Sequence, residues 1–154
     1  MRRIVVLIDG LHTHELIETL EAAVGLAGVE LLLVYVQGHG PRAGLEMVRH
    51  RPGGVRMPPG RESIISDAER ARAGSALSEA EELALDAGAR ARRVEIEGEA
   101  GHAVCELARR EDADLVAVRA GGKDTPPVGP RSLGPAARFI ADHAPCPVLL
   151  LRAR

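Results

Sequence analysis

Aromatic side chains are nearly absent from this 154-residue chain, which has one tyrosine, one phenylalanine and no tryptophan. Proteins that bind single-stranded nucleic acid stack its bases on aromatic faces, and this chain offers almost none. Neither sign of charge dominates, since 20 basic residues stand against 22 acidic ones. The resulting net charge of −2 gives no field that would attract nucleic acid or an anionic membrane. We therefore expect neither as a partner.

Cysteine is scarce as well, with only Cys105 and Cys146 in the chain. They form neither a CxxC pair nor a zinc-binding spacing, and both stand among apolar residues, which favours buried and reduced thiols. No apolar run approaches the roughly 18 residues that a membrane-spanning helix needs. Strand-like residues begin at Ile4, without a basic and apolar leader before them. We therefore expect a cytoplasmic protein.

The residues that are present are typical of a soluble globular domain, with 45% apolar and 27% charged side chains. The length suits one domain, which we expect to span residues 1–154. Short apolar runs alternate with stretches of helical periodicity, and this alternation predicts an α/β fold, an open parallel sheet with helices on both faces. The predicted strands cover residues 4–8, 29–36, 90–97, 114–118 and 147–151, and the predicted helices cover 16–27, 66–87, 101–112 and 135–143.

In several of these segments, particular residues indicate where a helix begins or ends or how exposed a strand is. Gly28 is placed to end the first helix, and Ser66 and Glu69 have the spacing of a capping box at the start of the second. In residues 90–97 charged and apolar side chains alternate, which is typical of a half-exposed strand at a sheet edge. Pro135 stands at the first position of the last helix, where proline is accepted because no N–H is needed there.

Residues 37–63 form a long segment rich in glycine and proline, with five arginines against two glutamates. A loop of this length inside a compact domain is often functional. Two interpretations stay open: an anion- or partner-binding flap over the strand ends, or a solvated loop, with a short helix at residues 43–50 in either case. The basic stretch consists of Arg42, Arg49, Arg51, Arg56 and Arg61, together with His39 and His50.

Ligands of open parallel sheets bind at the carboxyl ends of the strands, where the strand order reverses. In this chain the segments at those ends are Asp9-Gly10, Val36-Gln37 and the loop from Arg119 to Gly134. Asp9 is equally suited to cap the helix that follows it. For Val36 a place in the core is the favoured interpretation. A structural role therefore stands beside a ligand-binding one for both.

The chain resembles the universal stress protein family over nearly its whole length. The resemblance rests on the order and spacing of four segments, RRIVVLIDG, ELLLVYV, GEAGHAVCELARREDADLVAVRAGG and LGPAARFIADHAPCPVLLLR. The most specific piece is the His-Ala-Pro-Cys-Pro-Val string at residues 143–148. The resemblance implies a five-stranded parallel sheet of order 3-2-1-4-5 and a homodimer through the last strand.

One branch of this family binds ATP through a motif between the fourth strand and the last helix: G-x-x-G, nine residues, then G-[ST]. In this chain Arg119 stands at the first glycine, and eleven residues separate Gly122 from Gly134. Pro135 replaces the Ser or Thr, and it supplies neither a hydroxyl nor an N–H group. The motif is therefore degenerate, and donors that would bind phosphate are missing.

Other loop residues offset part of this loss. Arg119, Lys123 and Arg131 bring three cations, of which arginine is well suited to phosphate, and Ser132 brings a hydroxyl. We expect weak binding of ATP, or a preference for a smaller adenine nucleotide such as AMP or for another anion. A cleft that binds no nucleotide stays the alternative. The candidate ligand-binding residues are Ile8, Asp9, Val36, Arg119, Gly121, Gly122, Ser132 and Gly134.

No set of catalytic residues emerges from the sequence. A Ser–His–Asp triad has no nucleophile-elbow sequence to support it, and His12 and His14 have no third metal ligand near them in sequence. We therefore expect a regulatory stress-response module without catalytic or metal-binding residues. The alternatives are a structural dimerisation module that binds no nucleotide and, less favoured, a nucleotide hydrolase.

Overall fold

The computed structural model of the chain describes residues 2–38, 59–121 and 125–152, and over residues 59–66 it describes the backbone only. Strands and helices alternate along the chain, as the sequence predicts. The strands are β1 (Arg3–Leu7), β2 (Glu30–Gln37), β3 (Arg90–Glu97), β4 (Leu115–Arg119) and β5 (Val148–Leu151). The helices are α1 (Thr13–Val24), α2 (Pro59–Asp86), α3 (Ala100–Arg110) and α4 (Pro135–His143).

The five strands form one parallel sheet of order β3-β2-β1-β4-β5, which confirms the predicted fold and strand order. β1 lies at the centre and pairs with β2 on one side and β4 on the other. The strand order therefore reverses between β1 and β4. At such a point the connections on the carboxyl side leave in opposite directions and open a crevice.

Side chains of the central strands alternate between two buried layers, one on each face of the sheet. On the first face Val6 packs in a cluster with Leu16 of α1 and Leu77 of α2. On the second face Val5 packs in a cluster with Ile140 of α4 and with residues of α3. Burial on both faces explains why the central strands read as continuous apolar runs.

α3 and α4 lie close together on the second face because Gly101 has no side chain. A β-carbon built at Gly101 would lie 2.8 Å from the Cβ of Phe139 in α4. The Phe139 ring also stacks on His143 and contacts His102, with 4.1 Å between ring centroids in both pairs. This contact holds α4, the helix that follows the Arg119–Gly134 loop, against its neighbour.

Two predicted helix boundaries are wrong. α1 ends at Val24, ahead of Gly28, because Gly25 adopts a left-handed conformation (φ +69°) and its N–H donates to the Glu21 carbonyl. α2 begins at Pro59, so Ser66 and Glu69 lie inside the helix instead of forming a capping box at its start. Proline at a first helical position loses no hydrogen bond, which makes this earlier start feasible.

The predicted loop at 37–63 consequently overlaps α2 at its end. Arg61 falls on the described backbone of α2. The remaining basic residues of that segment, and its predicted short helix at 43–50, lie outside the described residues.

β3 has the predicted bounds and lies at the predicted sheet edge. Its outer positions are charged, and two of them form ion pairs: Arg92 Nη2 lies 2.7 Å from Glu111 Oε2, and Arg93 Nε lies 2.6 Å from Glu81 Oε2. Charges on an edge strand discourage further strand pairing. Among the described residues, no helix is long and apolar enough to cross a bilayer.

Candidate functional site

A small cavity of about 170 Å³ opens between the carboxyl ends of β1 and β4, and we call it the inner chamber. Leu7 at the end of β1 and Asp9 just beyond it line the chamber on one side, and Val118 and Arg119 line it from β4. The first turn of α4 closes the remaining side. The inner chamber therefore lies at the point where the strand order reverses, which is where the sequence predicts a ligand.

Asp9 uses its two carboxylate oxygens differently. Oδ1 accepts hydrogen bonds from the backbone N–H groups of Leu11 (3.0 Å) and His12 (3.3 Å), which stabilises the turn that leads into α1. The N-cap of α1 is His12, so Asp9 caps the turn ahead of the helix and not the helix itself. Oδ2 lies 3.5 Å from Nη1 of Arg119. The carboxylate thus has a structural role and also faces the inner chamber.

Arg119 ends β4 at the position where the resemblance expects a glycine. Its side chain is only 17% exposed, and its guanidinium pairs with Asp9. Its Nε is buried and has no hydrogen-bond partner among the described residues. A buried donor of this kind is costly to leave unpaired. Arg119 therefore brings a positive charge to the wall of the inner chamber, while its Nε stays enclosed by protein.

The loop between β4 and α4 supplies two glycines in the left-handed region. Gly121 (φ +91°) donates its N–H to the Leu133 carbonyl at 2.8 Å, and Gly134 (φ +79°) is the N-cap of α4. Both line the inner chamber. Gly134 has no side chain with which to cap α4, and the N–H groups at Ala136 and Ala137 in its first turn have no intrahelical partner. Such a helix start favours a bound anion.

The other candidate residues lie away from the inner chamber. Ile8 is buried in the core, and its N–H donates to the Val34 carbonyl at 2.8 Å. Val36 packs half-buried against the cluster on the second face. Ser132 is buried, and its hydroxyl accepts a hydrogen bond from Arg152 at 3.2 Å. Gly122 lies outside the described residues. The structure thus brings together Asp9, Arg119, Gly121 and Gly134.

A wider cavity of about 690 Å³, the outer cleft, lies beside the inner chamber. The two share Thr125, Gly134 and Pro135 as lining residues. Arg131 and Arg138 line the outer cleft only. Sequence reasoning missed Thr125 and Arg138. Arg138 was detectable, because it occupies the first turn of α4, at the same helix end as Gly134.

The cysteines and the two histidines at the start of α1 do not line the inner chamber. Burial raises the pKa of the Cys105 thiol, which is buried, and of the Cys146 thiol, which is half-buried, so both are protonated at neutral pH. His12 and His14 face the carboxylates of Glu15 and Glu18 on the exposed side of α1. Within the described part of the chain, no three side chains are grouped in a way that could hold a metal ion.

The comparisons with known proteins agree with this architecture. The model of the universal stress protein family matches residues 1–152. Similar solved structures include universal stress protein UspA from Lactobacillus plantarum, at 20% identity, 98% coverage of this chain, 97% of that chain and a TM-score of 0.71. A universal stress protein family protein from Arabidopsis thaliana with AMP bound has 15% identity and a TM-score of 0.68, and the match covers 100% of this chain and 93% of that chain. The universal stress protein from Archaeoglobus fulgidus in complex with dAMP has 17% identity, 97% coverage of both chains and a TM-score of 0.59. No curated protein matches the chain.

Proposed function

The chain belongs to the universal stress protein family, and from that premise we propose that it is a regulatory stress-response module that binds an adenine nucleotide in the inner chamber. It acts by binding and conformational signalling and not by turnover. The observation that carries the proposal is the position of the inner chamber, at the reversal of strand order and against the first turn of α4. The similar structures with AMP and dAMP bound support the choice of ligand class.

The expected affinity is low. Pro135 contributes no hydroxyl and no N–H at the start of α4, and each lost donor weakens binding by about 1 kcal/mol. Asp9 Oδ2 is already paired with Arg119, so a ligand hydroxyl or amine would compete with the guanidinium for it. Arg119 offers the positive charge of its guanidinium in return. We therefore expect a dissociation constant well above that of a site with an intact glycine motif.

The direct experiment has two parts. Protein purified without added nucleotide is denatured, and the released small molecules are identified by mass spectrometry. Calorimetry then measures binding of AMP, ADP and ATP, with the matching guanosine nucleotides as controls for base recognition. Saturable binding of an adenine nucleotide at sub-millimolar concentration supports the proposal. A chain that carries no adenine nucleotide and binds none up to millimolar concentration contradicts it and favours the structural dimerisation module.

We also propose a homodimer through β5. β5 is an edge strand of the sheet, and Val148, Leu149 and Leu150 stay half-exposed in a single chain. An apolar edge of this kind is stabilised by pairing with another strand. The opposite edge, β3, is charged and unsuited to the same contact. Light scattering at micromolar concentration tests this: twice the chain mass of 16.3 kDa supports the dimer, and the single-chain mass contradicts it.

A cytoplasmic location stays a prediction from the sequence.

A further inference from the structure

We propose that the pairing of Arg119 with Asp9 is an autoinhibitory contact, which opens when the guanidinium of Arg119 withdraws toward Thr13 at the start of α1. The inference rests on the proposed nucleotide site and assigns its regulation. A ligand that needs the Asp9 carboxylate binds only the withdrawn state, so its measured affinity falls with the population of that state. Residues of α1 outside the inner chamber then control the affinity of the chamber.

Arg119 borders two cavities. One is the inner chamber, which it lines together with Asp9. The other is a crevice of about 10 Å³ between α1 and the end of β5, which it lines together with Leu16 and Leu151. Side chains alternate along a strand, so Arg119 shares the first face of the sheet with Ala117, and α1 covers that face. Its side chain therefore lies between the Asp9 carboxylate and α1.

The contact with Asp9 leaves the guanidinium incompletely bonded. Nη1 lies 3.5 Å from Asp9 Oδ2, whereas a charge-assisted hydrogen bond to a carboxylate measures about 2.7–2.9 Å. Nε of Arg119 is enclosed by protein and has no partner among the described residues. A buried donor without an acceptor is costly. The observed position thus pairs the charge of Arg119 but leaves one of its donors unsatisfied.

Thr13 has the complementary deficit. Its side chain is only 3% exposed, and its Oγ1 has no hydrogen-bond partner among the described residues. Thr13 lies three residues before Leu16 on the buried face of α1, and Leu16 borders the crevice together with Arg119. An unpaired donor and an unpaired acceptor therefore face the same junction. A shift of the guanidinium toward α1 brings Nε of Arg119 to Oγ1 of Thr13.

The crevice also offers a carboxylate that can replace Asp9. Glu15 lines the crevice, and its Oε2 lies 3.7 Å from His12 Nδ1, which is too far for a hydrogen bond. Arg152 adds a positive charge to the same crevice, but its Nη2 already donates to Ser132 Oγ at 3.2 Å. The carboxylate of Glu15 can therefore pair with the withdrawn guanidinium. Oδ2 of Asp9 is then free for a ligand.

Calorimetry measures the effect of α1 on AMP binding to the full chain. Thr13→Val keeps the shape of the side chain and removes the acceptor, so we expect the dissociation constant to rise about fivefold, as for one lost hydrogen bond. Thr13→Ser keeps the hydroxyl and should preserve most of the affinity. Glu15→Gln should also weaken binding. Glu18→Gln is its matched control, because Glu18 likewise lies near a histidine of α1 but does not line the crevice.

A double-mutant cycle shows whether the threonine acts through the arginine. Methionine is similar in length to arginine but has no charge and no donor. In Arg119→Met, the further change Thr13→Val should leave AMP affinity unchanged, because no guanidinium is left to withdraw. Thermal unfolding verifies that each variant is folded. An equal loss in both backgrounds, or a Thr13→Val variant that binds AMP as tightly as the unsubstituted chain, would refute the autoinhibitory contact.

Nuclear magnetic resonance of the arginine side chains tests the same contact without a ligand. The Nε–H signal of Arg119 is assigned by its loss in Arg119→Met. We expect exchange between the two positions to broaden this signal on the microsecond-to-millisecond timescale, and Thr13→Val, but not Thr13→Ser, to abolish the broadening. Such exchange in a chain that binds no nucleotide supports the withdrawal and refutes the nucleotide site. AMP binding without the exchange refutes the withdrawal and leaves the site. If neither is observed, both proposals are refuted.

Discussion

Arg119 lies where the resemblance expects a glycine, and its guanidinium reaches Asp9 across the strand ends. A glycine there would leave the carboxylate free of this pairing and would let the backbone approach a ligand closely. Pro135 adds to the effect, since it removes a hydroxyl and an N–H from the start of α4. Both residues act on the same end of the inner chamber, so their effects on nucleotide affinity are expected to be coupled.

Restoring the two residues of the motif should therefore strengthen binding. We expect Arg119→Gly combined with Pro135→Ser to lower the dissociation constant for ATP by about tenfold or more, which corresponds to about 1.4 kcal/mol. Calorimetry on the double variant, on both single variants and on the unsubstituted chain measures this. Arg90→Gln, on the far edge strand, removes the same charge away from the site and serves as the control. A double variant that binds no better than the unsubstituted chain would show that the missing donors do not limit affinity.

Glu111 gives a prediction on pH dependence. Its carboxylate lies 2.7 Å from Arg92 Nη2 and 3.8 Å from Arg3 Nη1. The hydrogen bond from Arg92, followed by the nearby positive charges, lowers the pKa of Glu111 below its usual value. A carboxyl group with a lowered pKa in the folded state stabilises the fold while ionised, and this contribution is lost as the pH falls through its folded-state pKa.

We therefore expect the melting temperature to fall as the pH drops below the ordinary range of glutamate pKa values, about 4.3. Glu111→Gln should lower the melting temperature at pH 7 and should reduce its fall on acidification, because the substituted amide does not titrate. Glu106→Gln, on the helix that Glu111 caps, is the matched control. Equal acid sensitivity in Glu111→Gln and in the unsubstituted chain would contradict the assignment.

At the scale of secondary-structure elements, the contact between α3 and α4 depends on Gly101. A β-carbon at that position would come within 3.0 Å of three atoms of Phe139, so the ring or the helix must shift. We expect Gly101→Ala to destabilise the fold by about 1–3 kcal/mol, as overpacking of a core commonly does. Gly74, inside α2, is the matched control: a β-carbon there meets nothing within 4 Å, so Gly74→Ala should stabilise by roughly 0.5–1 kcal/mol. Urea denaturation measures both, and a neutral Gly101→Ala would contradict the close contact.

β5 carries the prediction on assembly. We expect Leu150→Arg to weaken the proposed dimer by at least about tenfold, since a charge would have to be buried at the interface. Sedimentation equilibrium measures the dissociation constant, and circular dichroism verifies that the monomer is folded. Glu95→Arg, on the exposed face of β3, is the control at the other edge and should leave the dissociation constant of the dimer unchanged. A folded Leu150→Arg variant with unaltered dimerisation would exclude β5 from the interface.

The sequence predicted those elements whose signals are local. The bounds of β3 and α4 follow from a charge alternation and from a proline at a helix start, and both are confirmed. The boundaries of α1 and α2 could not be predicted in this way. Gly25 ends α1 by adopting a positive φ, and α2 continues upstream through a sequence that resembles a cap. In each segment the sequence allows the helix to begin or end at more than one residue, so the local pattern alone does not determine the end of α1 or the start of α2.

The same distinction applies to the site. Asp9, Gly121 and Gly134 could be predicted because they follow a strand or precede a helix in an α/β order. The Asp9–Arg119 pair depends on two strands that are distant in sequence but adjacent in the sheet. The bond between Ser132 and Arg152 and the position of Thr125 depend on how the loop folds back. No spacing in the sequence contains that information.

At the scale of the whole molecule, the described residues around the inner chamber combine charge and backbone donors without a nucleophile and base in contact. We therefore expect steady-state hydrolysis of ATP to stay below about 1 per second, the low end of ordinary enzyme turnover. Phosphate release from purified protein measures it, with heat-denatured protein as the background control. A faster rate that follows the protein through purification and falls in Arg119→Gln would establish the nucleotide hydrolase instead.

The two edges of the sheet differ in a way that limits how large an assembly can become. In a two-fold contact each copy uses the same surface, so a β5–β5 pairing consumes the apolar edge of both copies at once. The joined sheet then ends on β3 at both sides, where Arg92 and Arg93 are already paired with carboxylates. A third copy would meet only the charged β3 edges, which discourage strand pairing. In the proposed dimer the unequal edges would thus make association self-terminating, and the sheet would not grow into a fibre by edge pairing.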